Sequence, residues 1–271
     1  MQRGNNKMTT IFASDFHGTG DAFITKIQFM IEKYPSAHVV FGGDYIDGRP
    51  NSKQVINYVW QMQKLHNAIA LKGSHEISLD DFLNHIAFND WYQNGGNTTF
   101  KSLFNCNVSC SIACKMLNKY RLFDSNFLEY WIDSLKTVHV NEDGIFAHAY
   151  IDVGRYSTAA RAVAGTGLLR RMTDSKAIVK LTHNHTEKAL VVGHTPTYLF
   201  AENQRYFTPV HITPYSSKII KCQTNKCPII EYHYDNEQSI IACDGGCASG
   251  DNFNTGNVAV IEKGKIIDWI N

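Results

Sequence analysis

The 271-residue sequence has almost no surplus charge, 26 Lys+Arg against 25 Asp+Glu giving a formal +1. That removes the electrostatic footprint of a dedicated nucleic-acid or anionic-membrane binder. No apolar run reaches the roughly 18 residues a membrane span requires, and the first ten residues lack the apolar segment of a signal peptide. No repeat or low-complexity tract is present. Seven cysteines are an odd number in a chain too long to need disulfide stapling, which points to a reducing compartment. The expectation is a cytoplasmic protein. What is there is core-forming material: 44% hydrophobic and 19% charged residues exclude disorder of the whole chain. Met8 offers a second start, so residues 1–7 are expected to be a disordered leader, followed by a single domain over 8–271.

Short apolar runs alternate with stretches of helical period. Ile11–Ala13 reads as a strand, and Asp21 to Tyr34 as a helix with Phe23, Ile24, Ile27, Met30, Ile31 and Tyr34 on one face. Val39–Phe41, a helix over 52–65, Ile69–Leu71 and a helix from Glu76 to about Trp91 continue the rhythm. This βαβαβα order predicts an α/β fold with a largely parallel, buried sheet. Later come a helix over 126–135, a strand at 145–147, helical patterning at 157–171, and strands at 190–192, 240–242 and 258–260. Asn94–Tyr120, rich in Asn, Ser and Cys, fits no element well. Residues 197–238 read as an irregular β-rich insertion, with a hairpin turning at Thr224–Lys226.

Six of the apolar strand runs end in an acid, an imidazole or both, most of them beside a glycine. The residues are Asp15 and His17; Asp44 and Asp47; His75 and Glu76; His148; His194; and Asp244. Ligands of open α/β sheets bind off the carboxyl ends of strands, so Asp15, His17, Asp44, His75, His148 and His194 are expected in one crevice. Imidazoles mixed with carboxylates suit two divalent ions of the Mn, Fe or Zn kind better than a lone Mg or Ca. Singly, each residue is as well explained by a capped turn or a satisfied core position. Their repeated choice of the same strand end is what carries the reading.

Asp15-Phe16-His17-Gly18, Gly43-Asp44-Tyr45-Ile46-Asp47, Gly73-Ser74-His75-Glu76, His148 and Gly193-His194-Thr195-Pro196 resemble, in order, the motifs of calcineurin-like metallophosphoesterases. They are most similar to the branch holding PPP-type serine/threonine protein phosphatases, bacterial and phage members included, and symmetrical diadenosine tetraphosphatases. Trp91 with Gly95-Gly96 and Thr98-Thr99, and the segment 241–250, resemble further family motifs. The likeness implies a four-layer α/β/β/α sandwich and a binuclear metal centre, manganese before iron or zinc. Asp15 and His17 would hold one ion, Asp44 would bridge, and His148, His194 and Ser74 would serve the other. A water or hydroxide shared by the ions would attack phosphorus. His75 would protonate the leaving oxygen with Asp47 orienting it, and Arg49 and Arg170 (or its neighbour Arg171) would grip phosphate.

Two departures from the family pattern stand out. Ser74 replaces an asparagine, which predicts a weakened second metal site. Arg49 sits one position later than usual, in Asp47-Gly48-Arg49, which predicts a changed approach to phosphate. The resemblance implies a phosphomonoesterase acting on phosphoserine or phosphothreonine proteins, with hydrolysis of a dinucleoside tetraphosphate as the alternative. A catalytically weak sensor protein is a minor third. Cys222, Cys227, Cys243 and Cys247 miss the tight spacing of a zinc knuckle and read as small buried hydrophobes. Cys106, Cys110 and Cys114 have helical spacing. His183 and His185 could hold a metal, but read as a solvated turn.

Overall fold

The computed structural model describes residues 9–66, 68–84, 86, 90–120, 125–165, 183–197, 216–220, 227–233, 236–249 and 255–270. In chain order its elements are β1 (Thr10–Ala13), α1 (Asp21–Lys33), β2 (His38–Phe41), α2 (Ser52–Leu65), β3 (Ile69–Ala70), α3 (Ser74–Leu83), α4 (Asn97–Phe104), α5 (Cys110–Tyr120) and α6 (Ser125–Ser134). There follow β4 (Val138–Val140), β5 (Ile145–Ala147), α7 (Ala159–Gly165), β6 (Leu190–Val192), β7 (Ser216–Ile220), β8 (Ile229–His233), β9 (Ile240–Ala242), β10 (Val258–Glu262) and β11 (Lys265–Ile270).

The strands form two sheets, ordered β11-β10-β1-β2-β3 and β4-β5-β6-β9-β8-β7. Side-chain alternation shows how they stack, because successive residues of a strand face opposite ways. In β1, Ile11 and Ala13 join the core under the helices, whereas Phe12 joins a separate core with Phe146 of β5, Val191 of β6 and Ile241 of β9. Ile145, Leu190 and Ile240 face the other way, onto Ala159 and Ala162 of α7. Phe12 and Phe146 meet across the sheets with ring centroids 5.8 Å apart. The layers are therefore helix, sheet, sheet, helix, as the family resemblance implied.

The sheets are mixed rather than largely parallel. β1, β2 and β3 run parallel, as do β5, β6 and β9, but each trio is extended by antiparallel strands. The sequence pattern gave no strand for β4 or β11, the antiparallel strands at two of the sheet edges. β10 and β11 are joined by Lys263-Gly264, both at positive φ, the conformation that a two-residue hairpin turn needs. β7 and β8 pair antiparallel, in keeping with a β hairpin, although its expected turn at 224–226 lies outside the described residues, as do residues 1–7.

Two other expectations change. The third helix begins at Ser74 and stops at Leu83, where the Asn84 amide bonds back to the Asp80 carbonyl at 2.9 Å. Beyond it the chain reverses through a wide turn, Tyr92–Gly96, which lets Trp91 turn into the core at 1% exposure. Asn94–Tyr120, which fits no element well by sequence pattern, supplies this turn together with α4 and α5; Cys110 and Cys114 do share a helix, with Cys106 before it.

The inter-sheet core fixes where the strand ends meet, so truncating it tests the architecture directly. Phe146→Ala should cost about 3–5 kcal/mol. Trp269→Ala, on the half-open face of β11, should cost far less. Urea denaturation of the two variants should show a large fall in midpoint for the first only.

Candidate metal centre and its acid–base pair

The loops after β1, β2, β5, β6 and β9 and the start of α3 converge. Asp15, His17, Asp44, Asp47 and His194 all have positive φ, and they are five of the eight described non-glycine residues that do. Asp and His tolerate this region better than branched residues, but each such residue stores backbone strain that the surroundings must hold. Part of the holding is done by glycines that leave no room for a side chain. A Cβ on Gly193 would lie 2.1 Å from Asp15 Oδ2, and one on Gly73 would lie 2.2 Å from Asp44 Oδ1.

Asp44 is the meeting point. It is 2% exposed. One oxygen accepts the His75 backbone N–H at 2.8 Å, and the carboxylate also accepts the Ser74 hydroxyl at 3.1 and 3.3 Å. His148 Nε2 stands 3.3 Å and His17 Nε2 3.9 Å from Asp44 Oδ2. Two groups of possible metal donors share it: His17, Asp44 and His75; and Asp44, His148 and His194. His148 is fixed by Nδ1 on the Gly42 carbonyl at 2.8 Å, and its Nε2 lies 3.0 Å from His194 Nδ1. Asp15, fully buried, accepts the His194 backbone N–H with both oxygens, at 3.0 and 2.9 Å.

The donor set fits divalent cations. Asp15, Asp44, Glu76 and Asp244 are all at most 2% exposed, an arrangement that is costly without positive charge nearby. Burial and then the neighbouring carboxylates push Asp244 well up, while burial and Asp44 raise Asp15 to about 6 and Glu76 to about 7. Burial works against the charge of Asp44 too, but the His148 and His75 imidazoles hold its carboxyl well below the usual range. His17 is lowered to about 3 by burial and by His75, leaving a neutral imidazole, the form that ligates metals.

Beside this group lies a second constellation. His75 Nδ1 sits 2.7 Å from Asp47 Oδ2, and that carboxylate is saturated: the Trp91 indole N–H donates to Oδ2 at 3.0 Å and the Thr99 hydroxyl to Oδ1 at 2.6 Å. Burial opposes the His75 charge, but Asp44 and the Asp47 hydrogen bond win and push its pKa up to about 9. A model of the calcineurin-like phosphoesterases matches residues 8–226 of the chain. The chain belongs to that family.

This phosphoesterase is thus a hydrolase of a family that works with divalent metals. Its solved structural likenesses are distant. A protein serine/threonine phosphatase from Saccharomyces cerevisiae shows 13% identity over 99% of this chain and 80% of its own, with a TM-score of 0.48. A candidate diadenosine tetraphosphatase shows 14% over 98% and 94%, with a TM-score of 0.47. A cold-active protein-tyrosine phosphatase from a psychrophilic Shewanella shows 14% over 96% and 78%, with a TM-score of 0.44. No curated protein sequence matches.

Of the residues singled out in the sequence, Asp15, His17, Asp44, Asp47, Ser74, His75, His148 and His194 come together. Arg49 is tied back: its Nε donates to the Cys247 carbonyl at 2.8 Å. Arg170 and Arg171 lie outside the described residues. Sequence reasoning gave no role to Glu76, whose carboxylate accepts the backbone N–H groups of Asp44, Tyr45 and Gly73 at 2.8–2.9 Å and so clamps two strand-end loops together. Its position straight after His75 was the available signal. Cys227, Cys243 and Cys247 are buried. Burial pushes Cys247 up to about 12, so it stays a neutral, small hydrophobe.

The saturated Asp47 makes a prediction. A His75 acid is available while protonated and is lost as the pH rises through about 9. Asp47→Asn removes one cause of the raised pKa, so the alkaline limb of the rate profile should move down toward the ordinary imidazole value. Thr99→Val, which removes the donor to Asp47 Oδ1 and the acceptor of the Asp47 backbone N–H, should lower kcat about 10–100-fold with little change in KM.

Proposed function

We propose that this phosphoesterase is a metal-dependent phosphomonoesterase of the serine/threonine protein phosphatase type. The observation that supports it most is the Asp44 carboxylate, shared by two donor groups and standing next to the His75–Asp47 pair. Asp15, His17, Asp44, His148 and His194, with Ser74 in the place of an amide ligand, would hold two ions, manganese first among the candidates. Once bound, such ions supply Lewis acidity, acidifying a water and neutralising phosphoryl oxygens. The chain's own part is positional. Asp47 engages Nδ1 of His75 and so leaves Nε2 for the substrate, where its proton passes to the leaving oxygen as the phosphorus–oxygen bond breaks. Arg49 is the described candidate for gripping phosphate through its guanidinium.

The surroundings favour a phosphorylated side chain over a dinucleotide. A cleft of about 380 Å3 adjoins the Asp47–Gly48 turn, lined by Gly48, Pro50, Thr98, Lys101, Ser102 and Asn105. Among the described residues its lining offers a cation and hydroxyls and no aromatic face on which a base would stack. The described residues contain no helix long and apolar enough to cross a membrane; the cytoplasmic location is part of the proposal.

The test is hydrolysis of p-nitrophenyl phosphate and diadenosine tetraphosphate by metal-stripped protein with Mn²⁺ added back. The expected result is Mn-dependent turnover, faster on the monoester and abolished by Asp44→Asn or His75→Asn. Faster turnover of the dinucleotide would transfer the assignment to a nucleotide hydrolase. Bound metal with no turnover of either would leave a sensor protein. In the same preparation Ser74→Asn should tighten the weaker of two Mn²⁺ affinities in a titration, since an amide carbonyl is a better donor than a hydroxyl already bonded to Asp44.

A further inference from the structure

The turn His183-Asn184-His185, which reads in sequence as a solvated loop, faces a carboxylate from elsewhere in the chain. His183 Nδ1 lies 3.0 Å and His185 Nε2 3.3 Å from the same oxygen, Glu237 Oε1, and the three donor atoms all fall within 4.8 Å of one another. The two rings are stacked, with centroids 5.3 Å apart and planes 22° apart. We propose that His183, His185 and Glu237 form a second, structural metal site that takes Zn²⁺ or a similar late divalent ion.

The spacing suits that ion. Zinc bonds nitrogen and oxygen at about 2.0–2.2 Å in a tetrahedron, which separates its ligand atoms by roughly 3.3–3.5 Å. The two nitrogen–oxygen separations are already close to that edge. Two imidazoles and one carboxylate are donors that zinc accepts, and the partial exposure of both histidines leaves a fourth position for water.

The site is also braced, which separates it from a chance cluster of surface side chains. Glu237 Oε2, the oxygen turned away from the imidazoles, accepts the Asn184 backbone N–H at 2.8 Å, so Oε1 is aimed at the histidines. The Asn184 side chain is fully buried and donates to the Lys188 and Ser239 carbonyls at 3.0 and 3.2 Å. Its oxygen accepts the Thr186 backbone N–H and hydroxyl at 3.1 and 2.7 Å. The His185 backbone N–H donates to the Val153 carbonyl at 3.1 Å. Supporting bonds of this kind orient metal ligands and are worth as much care as the ligands themselves.

Its place in the fold says what it would do. His183 and His185 precede β6, and Glu237 precedes β9, its parallel neighbour. The catalytic crevice takes His194 and Asp244 from the other ends of the same two strands. An ion here would staple the starts of β6 and β9 and stay clear of the chemistry.

Zinc titration of the metal-stripped full chain, with bound metal counted after gel filtration, tests this. His185→Asn and, separately, Glu237→Gln (which keeps an oxygen for the Asn184 N–H) should each bind one zinc fewer per chain than the wild type. Asp44→Asn should retain that zinc while losing metal at the catalytic crevice. Zinc should raise Tm in the Asp44→Asn protein, and this rise should vanish when His185→Asn is added. Equal zinc counts in the wild type and both loop variants would overturn the proposal.

Discussion

Everything at the strand ends depends on keeping the Asp44 carboxylate charged, buried and still. It lies among three other carboxylates at a depth where like charges repel with little screening. Two devices make that tolerable. The His148 imidazole after β5 and the His75 imidazole of α3 favour its charge, and the His75 backbone N–H donates to one of its oxygens. Glu76 extends the same logic. It brings another buried negative charge but spends both oxygens on the backbone of the Asp44 and Gly73 turns, converting an electrostatic liability into a fixed relation between β2 and α3.

The left-handed backbone at Asp15, His17, Asp44, Asp47 and His194 is the conformational side of this arrangement. A strand that ran on in extended geometry would send alternate side chains to opposite faces of its sheet. Left-handed residues just past the strand ends turn the chain so that their side chains gather in the shared crevice. The strain is borne by the inter-sheet core, where Phe12, Phe146, Val191 and Ile241 fix the two sheets against each other. Rigidity at the centre of the sandwich and strain at its rim are therefore parts of one design.

The central strands and first two helices were legible in the sequence because their apolar periodicity is uninterrupted; the helix over 52–65 matches α2 at both ends. The meeting of polar residues at the strand ends was legible for a related reason, since polar residues following buried strands are conspicuous. The edge strands β4 and β11 were not: β11 alternates exposed and half-buried residues, a weak signal, and none of the three residues of β4 is buried. Asn94–Tyr120 was hidden by composition: its Asn and Gly residues suggest a loop, yet they build the turn that carries Trp91 and Thr99 to Asp47. Partners for Glu76 and for the His183–His185 pair come from segments distant in sequence, and no local pattern reveals them.

The departures at Ser74 and Arg49 bear on how this phosphoesterase differs from the pattern it resembles. The Ser74 hydroxyl is bonded to the Asp44 carboxylate, so it stabilises that charge by donating to it. An amide at the same position would present a carbonyl and compete for the cation. Arg49, moved one residue later, finds the Cys247 carbonyl and links the Asp47 turn to the segment after β9. Both side chains are held within the protein, Ser74 on the Asp44 carboxylate and Arg49, through Nε, on the Cys247 carbonyl. On the proposed two-ion reading, a hydroxyl already bonded to Asp44 leaves the second ion one donor poorer, so turnover should depend steeply on metal concentration.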